Sequence, residues 1–127
     1  MAQIGYVMVG TNDLPRAVAF YDSLLGELGA TRFIETDRGV SWSFGPGTTS
    51  LCATKPFDRA RASVGNGTMV ALGLRNREEV DAAHSRALEL GATNEGDPGQ
   101  RGTAGFYAGY FRDLDGNKLN VFCIESP

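Results

Sequence analysis

The stretch GFYAGYFRDLDGNKLNVFCI, residues 105–124, decides the fold of this chain. Two runs rich in aromatic and β-branched residues flank Asp115-Gly116, a pair that favours a tight turn because glycine tolerates the positive φ that such a turn requires. The pattern predicts a β-hairpin of two adjacent antiparallel strands. Side chains alternate along a strand, so Asn120 and Phe122 are expected on one face, and Tyr110 shares a face of the preceding strand with Phe106.

Outward from this hairpin, one supersecondary pattern occurs twice. Residues 5–9 form a candidate strand, a helix follows, and three strand candidates cover 31–35, 40–44 and 49–53. The pattern restarts with a strand over 67–72, a second helix, a weak strand over 92–95 and a glycine-rich loop over 96–102 that could act as a lid, before the hairpin. A gapless match of residues 5–30 with 67–92 pairs ELGA at 27–30 with ELGA at 89–92. The chain is therefore interpreted as a duplicated βαβββ unit of α+β class.

Both helices carry start signals and an apolar stripe. Asp13 with Pro15 opens the first helix, and Asn76 followed by acidic residues opens the second. Apolar residues recur at helical spacing, which predicts one buried face on each helix. The first stripe is Ala17, Phe20, Tyr21, Leu24 and Leu25, and the second is Val80, Ala83, Ala87 and Leu88.

Composition excludes several classes of protein. A chain of 127 residues fits one domain, expected as a first module over about 1–56, a connector over about 57–66 and a second module over about 67–127. No apolar run approaches the ~20 residues of a membrane span. The formal charge of −3 comes without a basic run, so nucleic acid is not expected and a small-molecule ligand is. The N-terminus lacks an export signal, so the expected location is cytoplasmic.

Four stretches resemble the vicinal oxygen chelate superfamily, also called the glyoxalase/bleomycin resistance/extradiol dioxygenase family. They are GYVMVGTNDL at 5–14, RAVAFY at 16–21, GNGTMVA at 65–71 and YFRDLDGNKL at 110–119. The resemblance covers essentially the whole chain. It implies paired βαβββ modules that form a curved mixed sheet with a concave ligand cup, helices on the outer face, and commonly a homodimer.

The resemblance also implies where metal ligands would lie. The usual histidines of the first strands fall on Tyr6 and Met69, the usual glutamate of the last strand falls on Asn120, and the position closing the first module falls on or beside Cys52. A phenol, a thioether, an amide and a thiol match no common preference of a divalent metal. We therefore expect neither a bound metal nor another cofactor.

The predicted ligand-binding side chains combine aromatic, sulfur-containing and amide groups. Tyr6, Tyr110 and Asn120 carry polar groups that need a partner when buried, and the resemblance places a ligand-contacting tyrosine at Tyr110. Trp42 and Phe44 form either an apolar wall or ordinary core packing, and core packing is the favoured alternative for Met69 and Phe122. The complete set is Tyr6, Trp42, Phe44, Cys52, Met69, Tyr110, Asn120 and Phe122.

Two other polar positions are interpreted as structural. His84, the only histidine, lies at the edge of the second helix stripe and is expected to be partly buried and hydrogen-bonded. Asp113 belongs to the hairpin turn, where aspartate accepts from backbone amides. No catalytic residue is assigned.

Three functions remain open at this stage. The first is a metal-free small-molecule binding protein. The second is a lyase, isomerase or dioxygenase-like enzyme that uses an unconventional metal site or Tyr6 and Tyr110 as acid–base groups. The third is a dimerisation module whose cup is filled by its own side chains.

Overall fold

The computed structural model describes residues 1–125 and divides the chain into two compact units, Met1–Ser63 and a second unit from Val64 onward. The first unit contains β1 (Tyr6–Gly10), α1 (Leu14–Glu27), β2 (Thr31–Glu35), β3 (Gly39–Ser43) and β4 (Ser50–Thr54). The second contains β5 (Val70–Gly73), α2 (Arg77–Glu89), β6 (Thr93–Gln100), β7 (Phe106–Arg112) and β8 (Lys118–Ile124). No helix of the described chain is long and apolar enough to cross a membrane.

Each unit is a four-stranded mixed sheet with one helix. The strand orders are β1-β4-β3-β2 and β5-β8-β7-β6, with a parallel first pair and antiparallel pairs beyond it. The two orders are topologically equivalent, which confirms the predicted duplication and the α+β class. The alignment of the repeats also matches Thr31, where β2 begins, with Thr93, where β6 begins.

The helix starts follow the predicted signals. Asp13 accepts a hydrogen bond from the amide of Arg16 at 3.2 Å, and Asn76 accepts one from the amide of Glu79 at 2.9 Å. The side chains of the first predicted stripe are all buried. In the second, Leu88 is only half-buried and His84 is buried instead, because the face of α2 that packs on the sheet includes His84.

The prediction of a loop over residues 96–102 was wrong for most of that segment. Residues 96–100 are not a loop, because β6 continues to Gln100 and pairs with β7, with Gly96 opposite Tyr110 and Gly99 opposite Ala108. The register shifts on both sides of Gly96. Such bulges interrupt the alternation of side chains, so the strand shows no period of two in its sequence. The glycine-rich segment is therefore part of the sheet and not a lid.

Candidate functional site

The face of the first sheet turned away from α1 holds a cavity of about 460 Å³. Alternate residues of β1 and β4 line it, because successive side chains of a strand point to opposite faces. This volume lies in the range of small-molecule sites, roughly 300–1,000 Å³. Its central lining residues are Tyr6, Met8, Phe33, Ile34, Ser41 and Cys52.

The apolar rim of this cavity is unusually exposed. Tyr6 is 65% exposed, Met8 56%, Phe33 68% and Ile34 54%. Phe33 and Ile34 both reach the cavity because the pairing of β2 with β3 shifts between Arg32 and Ile34. Contiguous exposed apolar side chains mark ligand or partner sites, since they are costly to leave in water.

Cys52 lies at the floor of this cavity. Its side chain is buried, and burial raises the pKa of the thiol. The sulfur contacts the carbonyl oxygen of Ala53 at 3.9 Å. Because the thiolate is the form that binds metals and attacks electrophiles, a neutral Cys52 suits packing against a ligand and not nucleophilic chemistry.

The structure separates Trp42 and Phe44 from the cavity. Trp42 faces α1, where its ring lies 5.5 Å from that of Tyr21 and its indole N–H donates to Asp22 Oδ1 at 2.9 Å. Phe44 follows the end of β3, is half-buried, and is not among the residues that line the cavity. For Trp42 the structure shows the packing alternative that the sequence left open.

The second unit contains four of the predicted residues, and three of them lie in its sheet. Tyr110 of β7 is the cross-strand partner of Asn120 of β8. Phe122, two residues further along β8, stacks on Phe106 with ring centroids 5.4 Å apart. Met69 immediately precedes β5 and is 41% exposed. The face that carries Tyr110, Asn120 and Phe122, turned away from α2, is called the Asn120 face below.

Asn120 is the most informative residue of this face. It is only 2% exposed, and its Oδ1 is buried without a hydrogen-bond partner among the described residues. A buried amide oxygen left without a donor costs on the order of 1–3 kcal/mol. Such an oxygen is satisfied when a water molecule or a bound group beside it donates the missing hydrogen bond.

Two cations flank Tyr110 on the same sheet. The guanidinium carbon of Arg101 lies 5.4 Å from the centroid of the Tyr110 ring, and Lys118 Nζ lies 5.5 Å from it. Arg101 is held by a 2.8 Å hydrogen bond to the carbonyl of Asp97. A side chain at Gly96 would occupy this space, because a Cβ there would lie 3.3 Å from both Arg101 Nη2 and Tyr110 Cδ1. The absence of a side chain at Gly96 therefore leaves room for the arginine.

The donor set does not fit a divalent metal. Tyr6 and Cys52 belong to the first unit, and Met69 and Asn120 to the second. Residues 1–125 contain no group of three or more His, Cys, Asp or Glu side chains that could hold a metal ion. Since catalytic sites of this type require several imidazole or carboxylate donors, no chemical step is assigned to a metal here.

His84 lies on the other side of the second sheet. It is buried, and its Nε2 lies 3.1 Å from Asn94 Oδ1 and 3.0 Å from the carbonyl oxygen of Tyr110. Both neighbours are acceptors, so Nε2 donates. The expectation of a buried, hydrogen-bonded histidine is confirmed.

Sequence reasoning missed several site residues. Met8 could have been predicted from the sequence, because it lies two residues from Tyr6 on the same strand and so shares its face. Phe33 and Ile34 were not, since a bulge brings two consecutive residues to one face and leaves no mark on the hydrophobic pattern. Arg101 was not predicted as a site residue, because it lies in the glycine-rich segment that was predicted from the sequence to be a loop.

Comparison with known families gives one match along most of the chain. Residues 3–121 match the family model described as Glyoxalase/Bleomycin resistance protein/Dioxygenase superfamily. No curated protein matches the chain.

Solved structures of the same architecture agree with this match. A glyoxalase/bleomycin resistance protein from Albidiferax ferrireducens T118 is 33% identical, with a TM-score of 0.85 over 94% of this chain and 96% of that one. A glyoxalase/bleomycin resistance protein/dioxygenase family enzyme from Burkholderia phytofirmans PsJN is 18% identical, with a TM-score of 0.79 over 98% and 100% of the two chains. Lactoylglutathione lyase from Agrobacterium tumefaciens is 21% identical, with a TM-score of 0.72 over 97% and 94%. The last two likenesses concern the fold alone.

Proposed function

Because the chain belongs to the Glyoxalase/Bleomycin resistance protein/Dioxygenase superfamily, we propose that it binds an organic small molecule on the open faces of its sheets without a divalent metal. The observation that carries this proposal is the buried, unpartnered Oδ1 of Asn120. A ligand that displaces the side chains covering this oxygen and donates an N–H or O–H group to it supplies the hydrogen bond that residues 1–125 do not.

The surroundings of Asn120 narrow the ligand class. Arg101 and Lys118 have no carboxylate partner among residues 1–125, so they favour a ligand with an acidic group. The stacked rings of Phe106 and Phe122 favour an aromatic or planar portion. The proposed ligand therefore combines a planar apolar portion, an acidic group and a hydrogen-bond donor.

The first unit carries a small-molecule surface of its own. Its cavity is mainly apolar at the rim, and Ser41 and the neutral thiol of Cys52 offer weak polar contacts at the floor. Apolar lining with a few polar groups is typical of small-molecule sites. Tyr6, Cys52, Met69, Tyr110, Asn120 and Phe122 are the residues proposed to contact ligand.

The experiment that tests the proposal compares Asn120→Leu with the unaltered protein. Leucine shares the branched shape of asparagine and has no polar atom, so removal of the orphaned oxygen should offset its larger volume and the variant should be as stable as the unaltered protein. Ligand binding should weaken by about tenfold or more, since the loss of a hydrogen bond in a buried site costs on the order of 1.4 kcal/mol.

Ligands for this comparison come from a thermal-shift panel of hydroxybenzoates and other aromatic acids. A ligand of the native state must raise the unfolding temperature. Leu119→Met, on the face packed against α2, is the control and should leave affinity unchanged. A panel without any stabilising compound, or equal affinity of Asn120→Leu and the unaltered protein, would contradict the proposal. Turnover that requires added metal would contradict its metal-free part.

We also propose that the protein acts as a homodimer. Tyr6, Met8, Phe33 and Ile34 are each more than half exposed on one sheet face, and a second copy of the chain would cover part of it. Light scattering should give a mass of two chains of 13.6 kDa. Phe33→Asp, which places a charge in this surface, should shift the mass to that of one chain, and an unchanged mass would exclude this face from the interface.

A further inference from the structure

Within residues 1–125, half of the cationic side chains form salt bridges with carboxylates, and the other half do not. The chain has twelve lysines and arginines. Half of them form salt bridges with carboxylates: Arg16, Arg32, Arg75, Arg77, Arg86 and Arg112. None of the others has a carboxylate at salt-bridge distance within residues 1–125. Two of these are Arg101 and Lys118 at Tyr110, and the other four line a single crevice of the first unit: Arg38, Lys55, Arg59 and Arg61.

This cationic crevice has a volume of about 340 Å³, and all its lining residues belong to the first unit. Its lining also includes Thr11 and Asn12, which precede α1, and no carboxylate. Asp58, in the same loop, accepts from the amide of Ala60 at 2.9 Å and makes no salt bridge with these cations. Four positive charges without a carboxylate at salt-bridge distance repel one another, and an anion that enters the crevice relieves this repulsion. The chain has a formal net charge of −3, so a crevice lined by four positive side chains has the opposite sign of charge from the chain as a whole.

The crevice is held in place by hydrogen bonds. Arg38 Nη2 donates to the carbonyl of Pro56 at 2.6 Å. Asn12 fixes the far side of the loop, because its Nδ2 donates to the carbonyl of Ala62 at 3.1 Å and its Oδ1 accepts from the amide of Ala62 at 2.7 Å. The loop that carries Arg59 and Arg61 is thus tied to the start of α1.

Arg59 adds a backbone feature. Its φ is +65°, and it is the only non-glycine residue with positive φ in the described chain. For a residue with a Cβ this conformation is unfavourable, and such conformations concentrate at functional positions. Glycine would be the better residue for folding here, so the arginine side chain needs another reason to be present.

We propose that the cationic crevice binds a multiply charged small oxyanion, such as a phosphate ester or a polycarboxylate. A dianion or trianion neutralises several of the four cations at once, and guanidinium groups bind phosphate and carboxylate oxygens with paired N–H donors. Thr11 and Asn12 also line the crevice, where Asn12 holds the loop through Ala62. The sequence shows no basic run because Arg38 comes from a different loop than the other three cations.

The test is isothermal titration of the full chain with inorganic pyrophosphate and, in a second arm, with citrate. We expect binding of one anion per chain at low ionic strength and weakening as salt is raised, because the contributing charges are exposed. Binding of pyrophosphate alone identifies a phosphoryl site, and binding of both identifies a general oxyanion site. Binding of neither at millimolar concentration would overturn the proposal.

Variants locate the site. Arg59→Gly with Arg61→Gln should weaken binding by roughly tenfold or more, at a few-fold per exposed cation. Arg59→Gly alone should weaken binding without lowering the unfolding temperature, since glycine adopts positive φ without a Cβ clash. Arg86→Gln, on α2 of the other unit, removes the same charge and should leave affinity within twofold. Equal effects of Arg86→Gln and the double variant would overturn the proposal. Arg38 is left unaltered because it also lines the first cavity.

Discussion

The imidazole ring of His84 lies directly against the backbone of Gly109. A Cβ added to Gly109 would lie 2.9 Å from His84 Cδ2 and 3.1 Å from Pro98 Cγ, closer than side chains normally approach. His84 cannot easily withdraw, because its Nε2 is held by Asn94 and by the carbonyl of Tyr110. The packing of α2 on β7 therefore depends on the absence of a side chain at residue 109.

The first prediction follows from this contact. Gly109→Ala should lower the free energy of unfolding by about 1–3 kcal/mol, because the methyl group forces the buried ring or the strand to move. Gly26→Ala is the matched control in the exposed part of α1, where a Cβ meets nothing within 4 Å. That variant should stabilise by about 1 kcal/mol through helix propensity. Denaturant unfolding measures both, and a Gly109→Ala protein as stable as the unaltered one would show that His84 is not confined.

The fold was predictable from sequence because its main elements carry local signals. The α1 stripe, the two helix caps and the 105–124 hairpin each combine a hydrophobic period with turn or cap residues. The internal duplication supported the prediction independently, because the same βαβββ order is indicated in both halves of the chain. Each of these signals concerns residues close together in the chain, so no tertiary information was needed.

The parts of the site that escaped prediction depend on tertiary geometry. The bulge of β2 brings Phe33 and Ile34 to one face, and Arg101 is held by the carbonyl of Asp97 beside a bulged strand. No sequence pattern predicts a bulge. The cationic crevice joins Arg38 with residues of a separate loop. The unpartnered oxygen of Asn120 is visible only once every nearby donor has been located. The sequence indicated the residue, but its unsatisfied state is a property of the fold.

The second prediction concerns the pH dependence of Asp22. The Arg32 guanidinium, which hydrogen-bonds Asp22 in two places, lowers the pKa of this carboxyl, and the indole of Trp42 lowers it further against the opposing effect of partial burial. A folded pKa below the unfolded value of about 3.9 stabilises the fold above that value. This stabilisation is lost as the pH falls through the folded pKa.

Asp22→Asn tests this linkage, because the amide oxygen can still accept from Trp42 while the charge is gone. At pH 7 the variant should be less stable by up to about 1 kcal/mol, since the pair is partly exposed. The difference should shrink as the pH is lowered from 4 to about 2. Asp37→Asn, at an exposed position, should change stability little at any pH. A difference for Asp22→Asn that stays constant with pH would refute the charge-based explanation.

The third prediction concerns the two free thiols. Burial raises the pKa of both Cys52 and Cys123, and for Cys123 the Glu125 carboxylate contributes in the same direction. Thiolate is the reactive form, so both should react with Ellman's reagent far more slowly at pH 7.5 than in guanidinium. Cys52, 9% exposed on the open face, should react before Cys123, which is 1% exposed. Cys52→Ser should remove the faster phase, and rapid labelling of the native protein at pH 7.5 would contradict the prediction.

The fourth prediction concerns Asp113, which sets the register of the hairpin that carries Tyr110 and Asn120. The hairpin loop spans residues 113–117, and Asp113 Oδ1 accepts from the amides of Asp115 and Asn117, each at 2.9 Å. Asp113 Oδ2 accepts from Asn117 Nδ2 at 3.0 Å. Asp113→Ala removes all three acceptor contacts and should cost about 2–4 kcal/mol, because hydrogen bonds to a charged group are the stronger ones.

Asp113→Asn distinguishes the effect of the acceptor geometry in the turn from the effect of the negative charge. The amide keeps one oxygen for the two backbone donors and loses the acceptor for Asn117, so its cost should be nearer 1 kcal/mol. Both variants are measured by denaturant unfolding together with ligand titration. Because the loop fixes which residues of β7 and β8 face each other, the alanine variant should also weaken ligand binding through Tyr110 and Asn120, whereas the asparagine variant should retain it. Equal losses of stability in the two variants would mean that the charge of Asp113, and not its acceptor geometry, holds the turn.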